Sequence, residues 1–348
     1  MANIMYGVSG QGFGHSARSH EVLAHLKKRG HNLLVLTYAQ ALGVMKKDFP
    51  TVEIPGLGLN YQNNRVSYSR TIYDNALMLF RSSTKWPTLL RRIRAFKPDL
   101  VITDFEPLSA VLAHFEDLPL ISFNNQHQLT NTALSVPKKY QNEFRTTKLV
   151  IQSMIWGARY YLITSFFKTP ITKPNTFLFP PVVREAVRRL KPRTGNSTLV
   201  YQTAEFDIFS ELKKLAPKRF IVYCNREDSV DGNIRIKKHN PQTFLADLKN
   251  CNAIIATAGS SLAFEALYLN KPYFAIPVAK QVEQTINAIY IKKLGFGEWA
   301  ETFTAAKGKK FLSSLSVYRR NLQRHPKPTP TALFKKLDAI IKSLSHIT

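Results

Sequence analysis

Residues 253–267 have the sequence AIIATAGSSLAFEAL, and the elements predicted from it indicate the fold class. Its first four residues form a short apolar run typical of a buried strand, and the apolar residues from Leu262 onward predict a helix. Between them lies a turn over residues 257–259, where Gly259 permits a sharp change of direction. A strand, a tight turn and a helix in this order are typical of one unit of a parallel α/β sheet.

The same stretch has the chemistry of an anion site. The backbone amides of Ser260 and Ser261 open the predicted helix, where the helix dipole favours negative charge. Glu265 lies one turn further on, where a carboxylate can bridge the two hydroxyls of a ribose. Glu283 and Gln284 begin the next predicted helix and can contact the hydroxyls of a sugar. An ordinary βαβ unit without a ligand is the alternative interpretation.

Short β-prone runs alternate with amphipathic stretches along all 348 residues, a length that exceeds one ordinary domain. The pattern predicts an α/β fold with two parallel-sheet lobes. We expect a first domain at 1–185, a linker at 186–196, a second domain at 197–325 and a C-terminal segment at 326–348. Within that segment the helix Thr331–Leu344 is expected to cross back to the first domain.

The individual elements follow from the same periodicity. The predicted strands of the first domain are Asn3–Val8, Asn32–Thr37, Asp99–Thr103 and Leu118–Ser122, with helices at Ala17–Arg29 and Pro87–Phe96. The predicted strands of the second domain are Thr198–Tyr201, Phe220–Tyr223, Ile234–Ile236, Ala253–Ala256 and Tyr273–Ile276. Its predicted helices are Phe206–Leu215, Pro241–Leu248, Ser261–Leu269 and Gln281–Leu294.

A second glycine-rich turn joins the first predicted strand to the first predicted helix. It contains Gly10, Gly12 and Gly14, followed by His15 and Arg18. Glycines allow the backbone to approach a ligand closely, and a helix start attracts phosphate. The dinucleotide fingerprint fits poorly because position 15 is a histidine, and no P-loop lysine follows the glycines. NAD and ATP binding through these motifs are therefore disfavoured.

His15 and Asp104 are the candidate catalytic pair. Asp104 follows a predicted strand, and the carboxyl ends of parallel strands meet at the edge where such folds bind ligands. An aspartate bonded to one imidazole nitrogen leaves the other nitrogen able to take a proton from a hydroxyl. The alternatives are a cap or phosphate ligand for His15, a cap or loop brace for Asp104, and a metal site formed by Asp104 and Glu106.

A polar string follows the next predicted strand of the first domain, at Asn124–Gln128. Side chains of this kind suit hydrogen bonding to a sugar or nucleotide edge, and Asn125 is the candidate within it. An ordinary polar loop explains the string equally well.

The chain carries a formal net charge of +26, which indicates an anionic partner. The candidates are a nucleotide-linked substrate, an acidic lipid surface and RNA or DNA; a basic surface without a specific partner is the alternative. The apolar segment Leu149–Phe167, flanked by Lys148 and Lys168, is either a buried helix and strand or an aromatic patch at a membrane interface. A spanning helix is disfavoured by Arg159 at its middle.

The compartment is expected to be the cytoplasm. The sequence has two cysteines, too few for a disulfide framework, and its first residues lack the pattern of a signal peptide. Two cysteines also exclude a zinc site built from cysteines alone.

The segment Thr257–Gly297 resembles the donor-binding half of GT-B glycosyltransferases. The chain is most similar to the lipid II N-acetylglucosaminyltransferase family and its uncharacterised cytosolic relatives, which the Gly10–His15 loop, Asp99–Pro107 and Pro180–Arg184 also match. The resemblance implies two Rossmann-like lobes facing a central cleft. It also implies a nucleotide-diphosphate sugar as donor substrate, no further cofactor, no metal and inversion at the anomeric carbon.

The resemblance also implies roles for individual residues. Gly259, Ser260 and Ser261 would bind the diphosphate, Glu265 the ribose, and Glu283 with Gln284 the donor sugar, while His15 would be the base and Asp104 its partner. Gly10, Gly12, Gly14, Arg18 and Asn125 would form the acceptor or phosphate loop. The lipid II enzyme has two glutamines where this chain has Glu283 and Gln284, so its donor sugar is not implied here.

The expected activity is transfer of a hexosyl or N-acetylhexosaminyl group from a UDP-sugar to a hydroxyl acceptor. The favoured acceptor is a lipid-linked or envelope glycan, with the enzyme cytoplasmic and peripheral on the inner face of the cytoplasmic membrane. The alternatives are transfer to tRNA or DNA, a nucleotide-sugar 2-epimerase, and a non-catalytic protein that binds sugar nucleotides or nucleic acid.

Overall fold

Strand β1 (Asn3–Val8) is an interior strand of the first sheet, and nearly all of its residues are buried. The computed structural model describes residues 1–11, 13–57, 61–62, 65–66, 70, 73–74, 77–78, 86–201 and 208–344. The chain divides into two units. The first comprises Met1–Gln62, Val66–Val182 and Thr329–Thr348, and the second comprises Asn63–Arg65 and Val183–Pro328.

The first unit is an α/β unit built on a seven-stranded sheet. Its further strands are β2 (Asn32–Thr37), β3 (Thr51–Glu53), β6 (Leu100–Asp104), β7 (Leu120–Asn124), β8 (Tyr160–Thr164) and β9 (Thr176–Phe179). The order is β3-β2-β1-β6-β7-β8-β9, and all pairs are parallel. Two short strands, β4 (Tyr61–Gln62) and β5 (Arg65–Val66), form a separate ladder.

Helices lie in most of the connections between the parallel strands of this sheet, since parallel pairing needs long crossovers; β8 and β9 are joined without a helix. They are α1 (Phe13–Lys28), α2 (Ala39–Met45), α3 (Trp86–Phe96), α4 (Pro107–Phe115), α5 (Gln128–Asn131) and α6 (Gln141–Met154), with a 3₁₀ turn at Lys138–Tyr140. Apolar residues of the strands and of α1 and α2 pack into one continuous core, which includes Tyr6, Leu23, Val35 and Phe123.

The second unit repeats the architecture with another seven-stranded sheet. Its strands are β10 (Ser197–Tyr201), β11 (Arg219–Cys224), β12 (Ser229–Asp231), β13 (Ile234–Lys238), β14 (Ala253–Ala256), β15 (Tyr273–Ala275) and β16 (Gly297–Trp299). The order is β12-β13-β11-β10-β14-β15-β16, and β12 alone pairs antiparallel. The helices are α7 (Glu185–Arg188), α8 (Phe209–Lys213), α9 (Pro241–Asn250), α10 (Ser260–Tyr268), α11 (Val282–Lys293), α12 (Ala305–Ser313) and α13 (Leu315–Arg324).

The prediction of two α/β domains with largely parallel sheets is confirmed. The last helix, α14 (Thr331–Leu344), has the predicted bounds. It belongs to the first unit, where Leu333, Leu337, Ile340, Ile341 and Leu344 are buried in the core. This spacing of three and four residues places all five side chains on one face of the helix.

Some element bounds differ from the prediction in a way that matters for the site. Helix α1 begins at Phe13 rather than at Ala17, so His15 lies in its first turn instead of in the preceding loop. Strand β6 extends to Asp104, and β7 ends at Asn124 rather than at Ser122. The predicted helix Phe206–Leu215 is observed as Phe209–Lys213, and residues 206–207 lie outside the described part of the chain.

The segment Leu149–Phe167 is mainly a buried helix end and strand. Most of its large apolar residues lie in the interior, namely Ile151, Ile155, Leu162, Ile163, Phe166 and Phe167. The interpretation of the whole segment as an interfacial patch is therefore wrong, and only Leu149 and Trp156 remain exposed as large apolar residues. Among the described residues, no helix combines the length and the apolar character needed to cross a bilayer.

Candidate functional site

The ends of β1 and β6 are paired in the first sheet, and this pairing brings His15 and Asp104 together. Val8 lies beside Asp104 in the register, and the amide of Ser9 donates to the carbonyl oxygen of Asp104 at 3.1 Å. His15 follows in the first turn of α1, and its Nδ1 is 2.8 Å from Oδ1 of Asp104. The prediction that the two side chains reach the same edge is confirmed, whereas their catalytic role stays a prediction.

Asp104 is fully buried and has three neighbours that donate hydrogen bonds to its carboxylate. Arg18 donates to both of its oxygens, and the Ser19 hydroxyl donates to Oδ2 at 2.7 Å. Burial by itself would raise the pKa of Asp104, but the charges and hydrogen bonds of Arg18 and His15 outweigh it and lower the pKa to about 2. Asp104 is therefore an anion throughout the physiological pH range.

The ionised carboxylate determines which hydrogen His15 carries when the pair is bonded. An anion can only accept, so the bond requires a hydrogen on Nδ1 of His15, which leaves the lone pair of Nε2 available. The side chain of His15 is 16% exposed, whereas Asp104 is inaccessible. This is the arrangement of an imidazole base with an orienting carboxylate.

The glycine loop before α1 is shaped in part by the protein itself. A Cβ added at Gly10 would overlap the carbonyl group and ring of Tyr38, so this glycine is required by close packing. Gly14 lies in the first turn of α1, beside His15. Gly12 lies outside the described residues. The binding of phosphate or acceptor by this loop stays a prediction.

The polar string after β7 is directed inward. Asn125 is buried, and its Oδ1 accepts a hydrogen bond from Nη1 of Arg18. The ring of His127 lies within hydrogen-bond distance of Ser122 and Asn124, and burial lowers the pKa of His127 to about 3. Because these side chains contact one another and α1, they brace the loop, which favours the ordinary polar-loop interpretation.

In the second unit, the turn between β14 and α10 presents backbone amides. Helix α10 begins after Gly259, and this N-cap residue has no side chain that could bond the first amides. The amides of the first turn of a helix have no partner within the helix. A Cβ added at Gly259 would meet nothing within 4 Å, so the space beside the turn is open. This is the geometry that an anionic group requires.

Two buried side chains hold the backbone of this turn in place. Nδ2 of Asn287 donates to the carbonyl oxygen of Ala258 at 3.0 Å, and the hydroxyl of Tyr273 donates to that of Thr257 at 2.6 Å. The sequence pattern does not predict either contact. Tyr273 belongs to a run of strand residues and does not stand out. Asn287 is a polar residue on the buried side of α11, and this position indicates a buried hydrogen bond.

Glu265 lies one turn into α10, as expected, but its carboxylate has a partner in the protein. Arg184 forms a two-pronged ion pair with it, with Nε at 2.6 Å from Oε1 and Nη2 at 3.0 Å from Oε2. Burial raises the pKa of Glu265, and the charge of Arg184 opposes this rise. A carboxylate has about four lone pairs, so two remain for ribose hydroxyls when Arg184 is bound.

The two candidate sugar-binding residues lie in the first turn of α11, where they were expected. Oε1 of Gln284 accepts a hydrogen bond from the amide of Val278 at 3.1 Å, so this side chain also supports the loop after β15. Glu283 is half-buried beside it. Among the residues that the structure describes, no three His, Cys, Asp or Glu side chains are grouped as metal ligands.

Known proteins similar to this chain are glycosyltransferases. Residues 2–316 match the family described as Glycosyl transferase family 1. The chain belongs to this family. It is 24% identical over 325 residues to an uncharacterised glycosyltransferase of Methanosarcina acetivorans, and the alignment covers 84% of each chain.

Solved glycosyltransferases share the GT-B fold of this family member. The glycosyltransferase of kitacinnamycin superposes with a TM-score of 0.65 at 16% identity, covering 98% of both chains. The spinosyn rhamnosyltransferase in complex with thymidine diphosphate superposes with a TM-score of 0.61 at 14% identity, covering 97% of this chain and 100% of the other. A second structure of that rhamnosyltransferase contains the spinosyn aglycone, with a TM-score of 0.62 at 14% identity and the same coverage.

Proposed function

We propose that this family member transfers a sugar from a nucleotide-diphosphate donor, most simply a UDP-sugar, to a hydroxyl group, with inversion and without a metal ion. The observation that carries the proposal is the start of α10 after Gly259, which has no capping side chain and borders open space, one turn before the buried carboxylate of Glu265. Amides and a carboxylate at this spacing match a diphosphate and the neighbouring ribose. The thymidine diphosphate complex of the spinosyn enzyme supports a nucleotide as ligand of this fold.

The proposed reaction needs a base for the acceptor hydroxyl and donors for the leaving group. In the first unit, Nε2 of His15 takes the proton of the acceptor hydroxyl as its oxygen forms a bond to the anomeric carbon. In the second, the bond between that carbon and the diphosphate breaks, and the amides of Ser260 and Ser261 stabilise the negative charge that leaves with the nucleotide. Attack from the side opposite the leaving group inverts the anomeric carbon.

The donor site is tested by thermal unfolding in the presence of UDP-, GDP- and dTDP-sugars. A ligand that binds the folded state raises the melting temperature, so one nucleotide series should stabilise the protein and thereby identify the base. Glu265→Gln should weaken this stabilisation because the amide cannot accept from two ribose hydroxyls as the carboxylate does. If none of the three series raises the melting temperature, the donor site is wrong.

The chemical step is tested with His15→Ala. We expect transfer to fall about 100- to 10,000-fold, the range for loss of a positioned base. Stabilisation by the nucleotide should persist, since His15 belongs to the other unit. Loss of both transfer and nucleotide binding would show that His15 has a structural role. Unchanged transfer would exclude it as the base.

The acceptor we favour is a lipid-linked or envelope glycan, because the formal net charge of +26 suits an anionic membrane surface. Transfer to tRNA or DNA draws on the same charge and is the second candidate. The test supplies labelled donor sugar with extracted lipids or with nucleic acid and follows the label. Recovery of the 2-epimer of the donor sugar, without transfer to either fraction, would instead support the epimerase alternative.

A further inference from the structure

Arg18 is buried among the groups that surround His15. It lies three residues after His15 on α1 and is 5% exposed. Its guanidinium donates to both oxygens of Asp104 and to Oδ1 of Asn125, and Nη2 is 2.9 Å from Nδ1 of His15. The guanidinium is thus bound on several sides by protein, which leaves a phosphate ligand, the role expected from the sequence, without support in this geometry.

The charge of Arg18 compensates the buried charge of Asp104. The guanidinium cation donates to both oxygens of the carboxylate anion. This two-pronged bond fixes the carboxylate where its Oδ1 lies 2.8 Å from Nδ1 of His15.

Neutral groups complete the surroundings of the carboxylate and the imidazole. From β1, Tyr6 faces Asp104 and Arg18, and burial raises the pKa of Tyr6 well above its usual value, so it is uncharged. From the turn after β6, Phe105 stacks on His15 with ring centroids 6.5 Å apart. Asn125, after β7, is an amide, and Ser19 on α1 is a hydroxyl that donates to Asp104. Arg18 thus supplies a charged donor to Asp104, and Ser19 supplies a neutral one.

We propose that Arg18 is a positioning residue of the transfer reaction, which anchors Asp104 and thereby holds the imidazole of His15 where Nε2 can take the acceptor proton. The proposal rests on the proposed function, in which His15 is the base. It assigns the glycine loop's arginine to the proton transfer rather than to substrate binding.

The test compares three variants. Arg18→Gln removes the charge, Arg18→Lys retains the charge but not the two-pronged bond, and Ser19→Ala removes one hydrogen bond to the same carboxylate without changing any charge. For each variant, kcat and kcat/KM are measured from pH 5 to 9, and donor binding is measured by the nucleotide-induced rise in melting temperature.

Arg18→Gln should lower kcat about 10- to 100-fold, the scale of a misplaced reacting group. The nucleotide response should persist, so that kcat falls while donor binding does not. Arg18→Lys should also lower kcat, because an ammonium group cannot form the two-pronged bond, and Ser19→Ala should have a smaller effect. A loss of kcat in Arg18→Gln no larger than that in Ser19→Ala would overturn the proposal.

A second measurement does not depend on transfer. Nuclear magnetic resonance of histidine-labelled protein follows the ring nitrogens of His15, assigned by His15→Gln, and reports the hydrogen bond between Nδ1 and Asp104. The signal of this bond should change in Arg18→Gln and persist in Ser19→Ala. If it changes while His15→Ala retains transfer activity, the anchoring role stands and the base assignment fails; if it does not change, the proposal for Arg18 fails. Should Arg18→Gln not fold, a wild-type signal and an undiminished kcat in Arg18→Lys would overturn the anchoring role.

Discussion

Glu265 is a buried acid whose charge depends on one arginine. Its two oxygens are both bound by Arg184, while burial raises its pKa. An anion is the form that accepts hydrogen bonds from a ribose, and removal of one partner of a buried ion pair leaves the other charge without compensation. Arg184, which the sequence showed only as the end of a proline-rich motif, therefore belongs to the donor site in this proposal.

Arg184→Ala is expected to weaken nucleotide binding about tenfold or more, because Glu265 would then hold its proton to higher pH. The matched control is Arg189→Ala, which removes the exposed ion pair of Arg189 with Glu185. Calorimetric titration with the nucleotide identified by thermal unfolding measures both. Equal affinities of the two variants would contradict the role of Arg184.

Glu106 is a second buried acid, and it is not part of the proposed chemistry. It accepts hydrogen bonds from the amides of Leu108 and Ser109 at the start of α4. Burial raises the pKa of Glu106 to about 7 although these hydrogen bonds oppose the rise. The folded protein thus retains a proton that the unfolded chain releases near pH 4.5.

This difference in proton binding predicts a pH dependence of stability. Between about pH 4.5 and about pH 7 the folded state binds more protons, so the contribution of Glu106 to the free energy of unfolding falls as the pH rises. Glu106→Gln should remove this fall, whereas Glu116→Gln, which alters the partly exposed pair with Arg94, should retain it. Urea denaturation at several pH values measures the three proteins. Parallel curves for wild type and Glu106→Gln would refute the prediction.

At the scale of elements, Lys271 connects three segments of the second unit. Its Nζ donates to the carbonyl oxygens of Arg193 at 2.6 Å, Lys249 at 2.8 Å and Cys251 at 2.6 Å. These carbonyls lie before β10, at the end of α9 and before β14. Burial lowers the pKa of Lys271, and the ammonium group offers one hydrogen to each carbonyl. The lysine thereby links the segment before β10 to the end of α9 and to the segment before β14.

Lys271→Met should lower the free energy of unfolding by about 3 kcal/mol, because several buried acceptors lose a charged donor. Lys292→Met is the control, since Lys292 forms a half-exposed pair with Glu298 and such pairs contribute about 0 to 1 kcal/mol. Chemical denaturation of both variants gives the comparison. A loss for Lys271→Met no larger than that of the control would show that its contacts do not stabilise the unit.

The ends of elements also determine what the site contains. Extension of β6 by one residue places Asp104 within the sheet, and the early start of α1 places His15 and Arg18 on the same helix. Single-sequence periodicity locates a strand from its apolar residues and cannot assign a polar residue at its end. Asp104 is assigned to β6 because it pairs with Val8 on the neighbouring strand β1.

At the scale of the whole molecule, the net charge of +26 predicts binding to anionic surfaces. The protein should sediment with vesicles containing phosphatidylglycerol at low salt and be released as salt screens the charges. Vesicles of phosphatidylcholine alone are the control and should not bind it. If the protein ignores the anionic vesicles but retards tRNA in a gel, the membrane-linked acceptor is refuted and the nucleic-acid candidate gains support.

Local sequence patterns are sufficient to predict the architecture of this protein. The alternation of apolar runs and amphipathic stretches predicted two α/β domains, and the helix predicted after the proline-rich segment 326–330 has the bounds of α14. The turn at Gly259 and the pair His15–Asp104 could also be found, because both follow from where strands end in a parallel sheet. The end of a strand is a property of neighbouring residues, and the local periodicity of the sequence indicates it.

The partners of the buried charged side chains can be seen in the tertiary structure alone. Arg18 meets Asp104 across 86 residues, and Arg184 meets Glu265 across 81. Such pairs depend on the order in which strands assemble and on which carboxylates become buried. A charge in water has no fixed partner, whereas a buried charge requires one, and the sequence does not record which charges the fold removes from water.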